Sequence, residues 1–145
     1  MSLKLSTGLR NGMLDNTSFK ALMANGFIKL YSGTPPATAD AAVTGTLLTI
    51  ISDNATGAGL TLGTAASGAI PKNRSQVWSG VNLATGTATY FRFVENADDG
   101  TASTTQKRVQ GTCATSGADL NMTSVNLSMN ATQSIDAGSF ALPTF

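Results

Sequence analysis

Hydrophobic spacing divides the chain near residue 26. Before it, apolar positions recur at helical intervals, with Phe19, Leu22 and Met23 at i, i+3 and i+4. This predicts one or two short helices, over Thr7–Leu14 and Ser18–Ala24. Asp15-Asn16-Thr17 is the expected capping region. Asn25-Gly26 is the expected stop, because Gly tolerates the left-handed conformation that ends helices. After Gly26 the period shortens to two. Phe27–Tyr31 and Thr46–Ile51 are predicted strands, the second dense in β-branched residues. Ser32-Gly33-Thr34-Pro35-Pro36 between them suits no central strand. Leu60–Leu62 is extended, and Ala65–Asn73 reads as loop, with Pro71 breaking any ladder. Ser75–Ser79 carries the only Trp, Trp78, and Gly80 closes it.

The strongest alternation is Thr87–Glu95, where Phe91 and Phe93 share the expected core face and Tyr90, Arg92 and Val94 take the other. Asn96-Ala97-Asp98-Asp99-Gly100 is a surface turn by its composition. Gln106–Ala114 and Leu120–Met129 follow. In the latter, apolar positions start on even numbers (Leu120, Met122) and end on odd ones (Val125, Leu127, Met129), which predicts a β-bulge near Thr123-Ser124. Thr132–Ile135 and Ser139–Leu142 are the last short strands. About eight strands with no helix between them predict an all-β fold. The expected form is an antiparallel, jelly-roll-like β-sandwich with a short helical N-terminal segment. One domain is expected overall, divided into a helical arm over 1–26 and a β-sandwich over 27–145.

Composition narrows the chemistry. The chain has 145 residues, 12% of them charged, and mean hydropathy +0.06. Thr, Ser, Gly and Ala together fill 70 positions. Net charge +1 offers no general field for nucleic acid. Histidine is absent, which removes the commonest general base and nitrogen metal ligand. Cys113 is the only cysteine, so no internal disulfide or Cys-based zinc site can form, and it reads as a buried, inert thiol. No apolar run reaches the roughly 18 residues of a membrane helix, and the first residues do not resemble a signal peptide.

Other constellations read as structure. Gly57-Ala58-Gly59-Leu60-Thr61-Leu62-Gly63 has the spacing of a loop rather than of a dinucleotide fingerprint. Asp98-Asp99-Gly100 and Asp53-Asn54 lack the alternating oxygens of a calcium loop. Lys107-Arg108 and Lys72-x-Arg74 look like solvated basic pairs. No catalytic residue, cofactor site or metal site is predicted, and the chain is not expected to be an enzyme. Charge is uneven, however: residues 1–30 carry +3 and the remainder −2.

One set of segments points further. Gly26-Phe27-Ile28-Lys29-Leu30-Tyr31-Ser32-Gly33-Thr34-Pro35-Pro36-Ala37-Thr38-Ala39-Asp40 leads to Gly45-Thr46-Leu47-Leu48. Val77-Trp78-Ser79-Gly80, Gly86-Thr87-Ala88-Thr89-Tyr90-Phe91-Arg92-Phe93, Ile135-Asp136 and Leu142-Pro143 follow. With these, nearly the whole chain resembles the small virion structural proteins of tailed bacteriophages. It is similar in size and composition to the jelly-roll cement, or decoration, proteins of short-tailed phage capsids. That resemblance implies a non-enzymatic protein made in the host bacterial cytoplasm and placed on the capsid surface of the virion. Its implied partners are the major capsid protein and further copies of itself, with no nucleic acid and no membrane. The alternatives are a tail, collar or head-fibre attachment protein, or a carbohydrate-binding β-sandwich using Trp78 and Tyr90 as an aromatic platform. The expected partner interface comprises Lys4, Arg10, Phe19 and Lys20 near one end of the chain, and Leu142 and Phe145 near the other. At least one terminus is expected to pack on a capsid subunit or a second copy, with Lys4, Arg10 or Lys20 facing carboxylates.

Overall fold

The structure, a computed structural model, describes residues 3–142. Its elements begin with β1 (Lys4–Leu5), α1 (Thr7–Asp15), α2 (Phe19–Leu22), β2 (Phe27–Tyr31), β3 (Leu47–Asp53) and β4 (Ala69–Pro71). Next come β5 (Trp78–Val81), β6 (Gly86–Thr87), β7 (Tyr90–Val94) and β8 (Arg108–Ala114). The last are β9 (Leu120–Asn121), β10 (Asn126–Leu127), β11 (Thr132–Ile135) and β12 (Ser139–Ala141). The main sheet runs β1-β8-β7-β2-β3-β5-β11, with β9 also on β8; β10–β6 and β12–β4 form two small sheets. Every strand pair is antiparallel except β8–β9. The protein is thus predominantly antiparallel β, in open sheets, with a short helical segment near its start. No helix among the described residues is long and apolar enough to cross a membrane.

Serine hydroxyls start both helices. Ser6 accepts from the Leu9 amide and Ser18 from the Ala21 amide, each at 3.2 Å. Asp15 therefore ends α1 instead of capping α2. At the stop, Asn25 takes the left-handed conformation, with φ 60°. Gly26 is needed for another reason: a Cβ there would lie 2.2 Å from the Val94 carbonyl oxygen. The helical segment is tied to the sheet. β1 pairs with β8, and Leu9 and Met23 are buried in the same cluster as Ile28, Phe93 and Val109.

Several expected strands differ in detail. The run at 87–95 is interrupted because Ala88 donates to the Val125 carbonyl and Thr89 to that of Tyr31, which hands the chain from the β10–β6 pair to the main sheet. The parity change over 120–129 has the same origin. β9 pairs with β8 and β10 with β6, so the apolar side switches when the partner switches, and there is no bulge within a single strand. Pro71 was expected to break any ladder, yet it ends β4 opposite Ser139. The bonding positions lie on either side, where Lys72 donates to Gly138 and Leu142 to Gly68, so the missing N–H costs no ladder bond. Gly80, expected to close a strand, lies inside β5, where a Cβ would come 2.2 Å from the Ile50 carbonyl oxygen.

Candidate interaction groove and the buried polar face

Strand alternation sends Phe91, Phe93, Val109, Ile28 and Leu30 to one face of the main sheet, and all are buried there. Lys29, Tyr31, Tyr90, Arg92, Arg108 and Gln110 take the opposite face. That face is also closed, with Arg92 and Arg108 at 0% exposure. Two loops cover it through their backbone carbonyls. Arg92 donates to Ala41 at 2.8 Å and Thr38 at 3.3 Å, and through Nε to Gln110 at 2.9 Å. Gln110 donates to the Pro36 carbonyl at 2.7 Å. Arg108 reaches the Ala39 carbonyl at 3.2 Å and that of Thr101 at 2.6 Å, and pairs through Nε with the Asp98 carboxylate. Tyr90 Oη donates to the Thr44 carbonyl at 2.6 Å and accepts from its amide at 3.1 Å.

Lys29 Nζ lies 3.7 Å from the other Asp98 oxygen, so two cations flank one buried carboxylate. Burial, then the neighbouring Tyr90, pushes the Tyr31 phenol up to about 12. Burial, then Arg108, lowers the pKa of Arg92. The carbonyls that accept from these side chains make the cluster a clamp on loops 32–46 and 96–106. Two expectations are corrected here. Asp98 is buried instead of standing on a surface turn, and Arg108 is buried instead of solvated. Lys107 is half-buried and pairs with Glu95 at 3.4 Å.

The large concave feature is on the apolar side. A groove of about 580 Å³ opens where β1, the helices and the β12–β4 sheet meet. Leu3 and Leu5, Phe19 and Lys20, and Phe140 and Leu142 line it. Phe140 stacks on Phe93 and tilts against Phe19, both at 5.4 Å between ring centroids, so an aromatic column runs from the core to the groove. At its rim Leu3 is 43% and Leu142 69% exposed.

Of the expected interface residues, Phe19, Lys20 and Leu142 converge on this groove. Lys4 and Arg10 do not. Lys4 Nζ donates to the Ala37 carbonyl at 2.8 Å and Arg10 to Thr7 Oγ1 at 3.0 Å. Thr7 in turn donates to Asp40 through its amide and its hydroxyl. Burial pushes the Asp40 carboxyl up, but these bonds and the Arg10 charge outweigh it and hold the pKa below the usual range. Phe145 lies outside the described residues. Leu3, Leu5 and Phe140 were not anticipated; the hint was the unmatched apolar content at both ends of the chain.

No known protein family, curated protein or solved structure matches the chain. The remaining candidates behave structurally. Burial pushes the Cys113 thiol up to about 12, which keeps it protonated and unreactive at neutral pH. The glycine-rich stretch turns a loop, with Asn54, Ala55 and Gly57 at positive φ and Ala58 bridging back to Asp53. Trp78 and Tyr90 are both buried, which removes the aromatic platform they would have formed. Among the described residues no three His, Cys, Asp or Glu side chains gather to hold a metal.

Proposed function

We propose that this protein is a non-enzymatic virion structural protein: a capsid cement that binds the outer face of the major capsid shell and stabilises it. Its strands in this reading form a jelly-roll-like antiparallel sandwich. The observation that carries the proposal is the convergence of Phe19, Lys20 and Leu142 on one open apolar groove. Exposed apolar surface of this extent marks an interaction site, and here it coincides with three of the contact residues expected from the two ends of the sequence. The chemistry of the chain agrees with this role. Its buried charges hold loops, and its low net charge suits a protein held in an assembly. Many copies of a modest interface reinforce one another when each subunit of a shell offers the same site.

The test is to mix the purified protein with undecorated capsids of its phage, sediment the particles, and image them. Saturable co-sedimentation, with density on the outer shell, is expected. Absence from capsids together with binding to tails would transfer the protein to the tail or fibre apparatus.

A further inference from the structure

The groove borders an unfinished sheet edge. Ser6 donates its backbone N–H to the Arg108 carbonyl, and Lys4 lies opposite Gln110. Antiparallel pairing alternates bonded and non-bonded positions, so Lys4 and Ser6 bond to β8 while Leu3 and Leu5 turn their backbone groups away from it. Among the described residues β1 has no strand on its other side. The side chains of these same two leucines line the groove. An unpaired strand edge beside an apolar trough is the arrangement that β-strand addition uses: backbone bonds supply affinity, and alternate side chains enter pockets.

Charge then selects the occupant. Lys20 is the one charged residue lining the groove, and it makes no ion pair or hydrogen bond among the described residues. We infer that the groove binds an extended, apolar segment of another protein, added as a strand along β1, with a carboxylate placed against Lys20. This rests on the groove being the docking face; on the reading above, the segment belongs to the capsid subunit.

A fluorescein-labelled peptide, acetyl-Val-Thr-Val-Glu-Leu-Thr-Val-amide, and its counterpart with Lys in place of Glu are the probes, read by fluorescence anisotropy. The Glu peptide should bind about three- to fivefold more tightly, as one partly exposed ion pair allows, and the preference should shrink as salt rises. Lys20→Glu should reverse the preference. Leu3→Pro removes an outward N–H while leaving the β8 bonds in place, and should weaken both peptides. Lys20 is exposed, so the charge reversal remains decisive even if the proline variant fails to fold. No binding, or a preference indifferent to Lys20→Glu, overturns the inference. Binding that appears only after residues 143–145 are removed overturns it in favour of the chain's own tail. A dimer in sedimentation that excludes the peptides does so in favour of a second copy. Capsid binding untouched by Lys20→Glu and Leu3→Pro would defeat this inference alone. Peptide binding without capsid binding would defeat only the capsid reading.

Discussion

The two faces of the main sheet are both shut away from water, by opposite means. On one, Phe91, Phe93, Val109 and Leu30 pack against apolar side chains drawn from most of the chain. On the other, Arg92, Arg108 and Gln110 reach up to the backbone carbonyls of the loop over 32–46. The first face gains from removing hydrocarbon from water, a non-directional effect roughly proportional to area. The second recovers the cost of burying charge only while both guanidiniums keep their carbonyl acceptors and Arg108 keeps the Asp98 carboxylate. The apolar face should therefore respond to volume, and the polar face to the loss of a single partner.

The sharpest tests remove one large group from each face. Phe93→Ala should cost about 3–5 kcal/mol in urea unfolding, through lost transfer energy and the cavity left behind. A loss below about 1 kcal/mol, the range of surface substitutions, would show that this face is not the core. Arg108→Met keeps most of the volume, yet should also cost about 3–5 kcal/mol because Asp98 is left buried without its guanidinium. Replacing both, as Arg108→Met with Asp98→Leu, should cost less than Arg108→Met alone. If the costs simply add, the polar face is held by packing like its counterpart and the contrast fails.

Tyr90→Phe is a milder probe. It deletes the hydroxyl that bonds both the amide and the carbonyl of Thr44, so about 1–3 kcal/mol should be lost. Amide exchange at Thr44 should accelerate while Phe93 and its neighbours remain protected. Uniform acceleration across the sheet would mean that loop and sheet open together.

Both faces also impose a pH dependence on stability. An ordinary tyrosine deprotonates near 10.0, whereas folded Tyr31 keeps its proton up to about 12. Between these values the unfolded chain binds fewer protons than the folded one, so stability falls as pH rises from about 10 and levels off beyond about 12. Cys113, on the apolar face, adds a decline that begins near its ordinary value of 9.0. Melting temperatures of Tyr31→Phe and Cys113→Ser across this range would separate the two contributions. A wild-type curve that stays flat above pH 10 would remove the burial argument for Tyr31.

Part of this contrast is visible in the chain. Phe27–Tyr31 and Thr132–Ile135 are strands with the expected bounds, and the helices fall within a few residues of their predicted ranges. The alternation Tyr90-Phe91-Arg92-Phe93-Val94 correctly separates two faces. What it lacks is any sign that the arginine face is covered, since the carbonyl that receives Arg92 belongs to Ala41, 51 residues away. The interruptions at 88–89 and 122–125 are equally hidden, because they arise where a strand changes partner and local periodicity describes only one partner at a time.

The groove follows the same division. Apolar residues at both ends of the sequence signalled surface in need of cover, which singled out Phe19 and Leu142, while Lys20 stood out as one of the basic residues of the N-terminal segment. Leu3 and Leu5 stood among them without distinction, until pairing with β8 turned their backbone toward an open edge. By itself the sequence determined an all-β chain with a helical start, without histidine and with a thiol unsuited to chemistry, because these depend on residue identity and short-range spacing. The tertiary structure alone decided that Arg108 and Asp98 are buried, that Lys4 and Arg10 lie away from the groove, and that Lys20 faces an apolar trough. Burial and pairing depend on what arrives from distant segments, and no local pattern encodes that arrival.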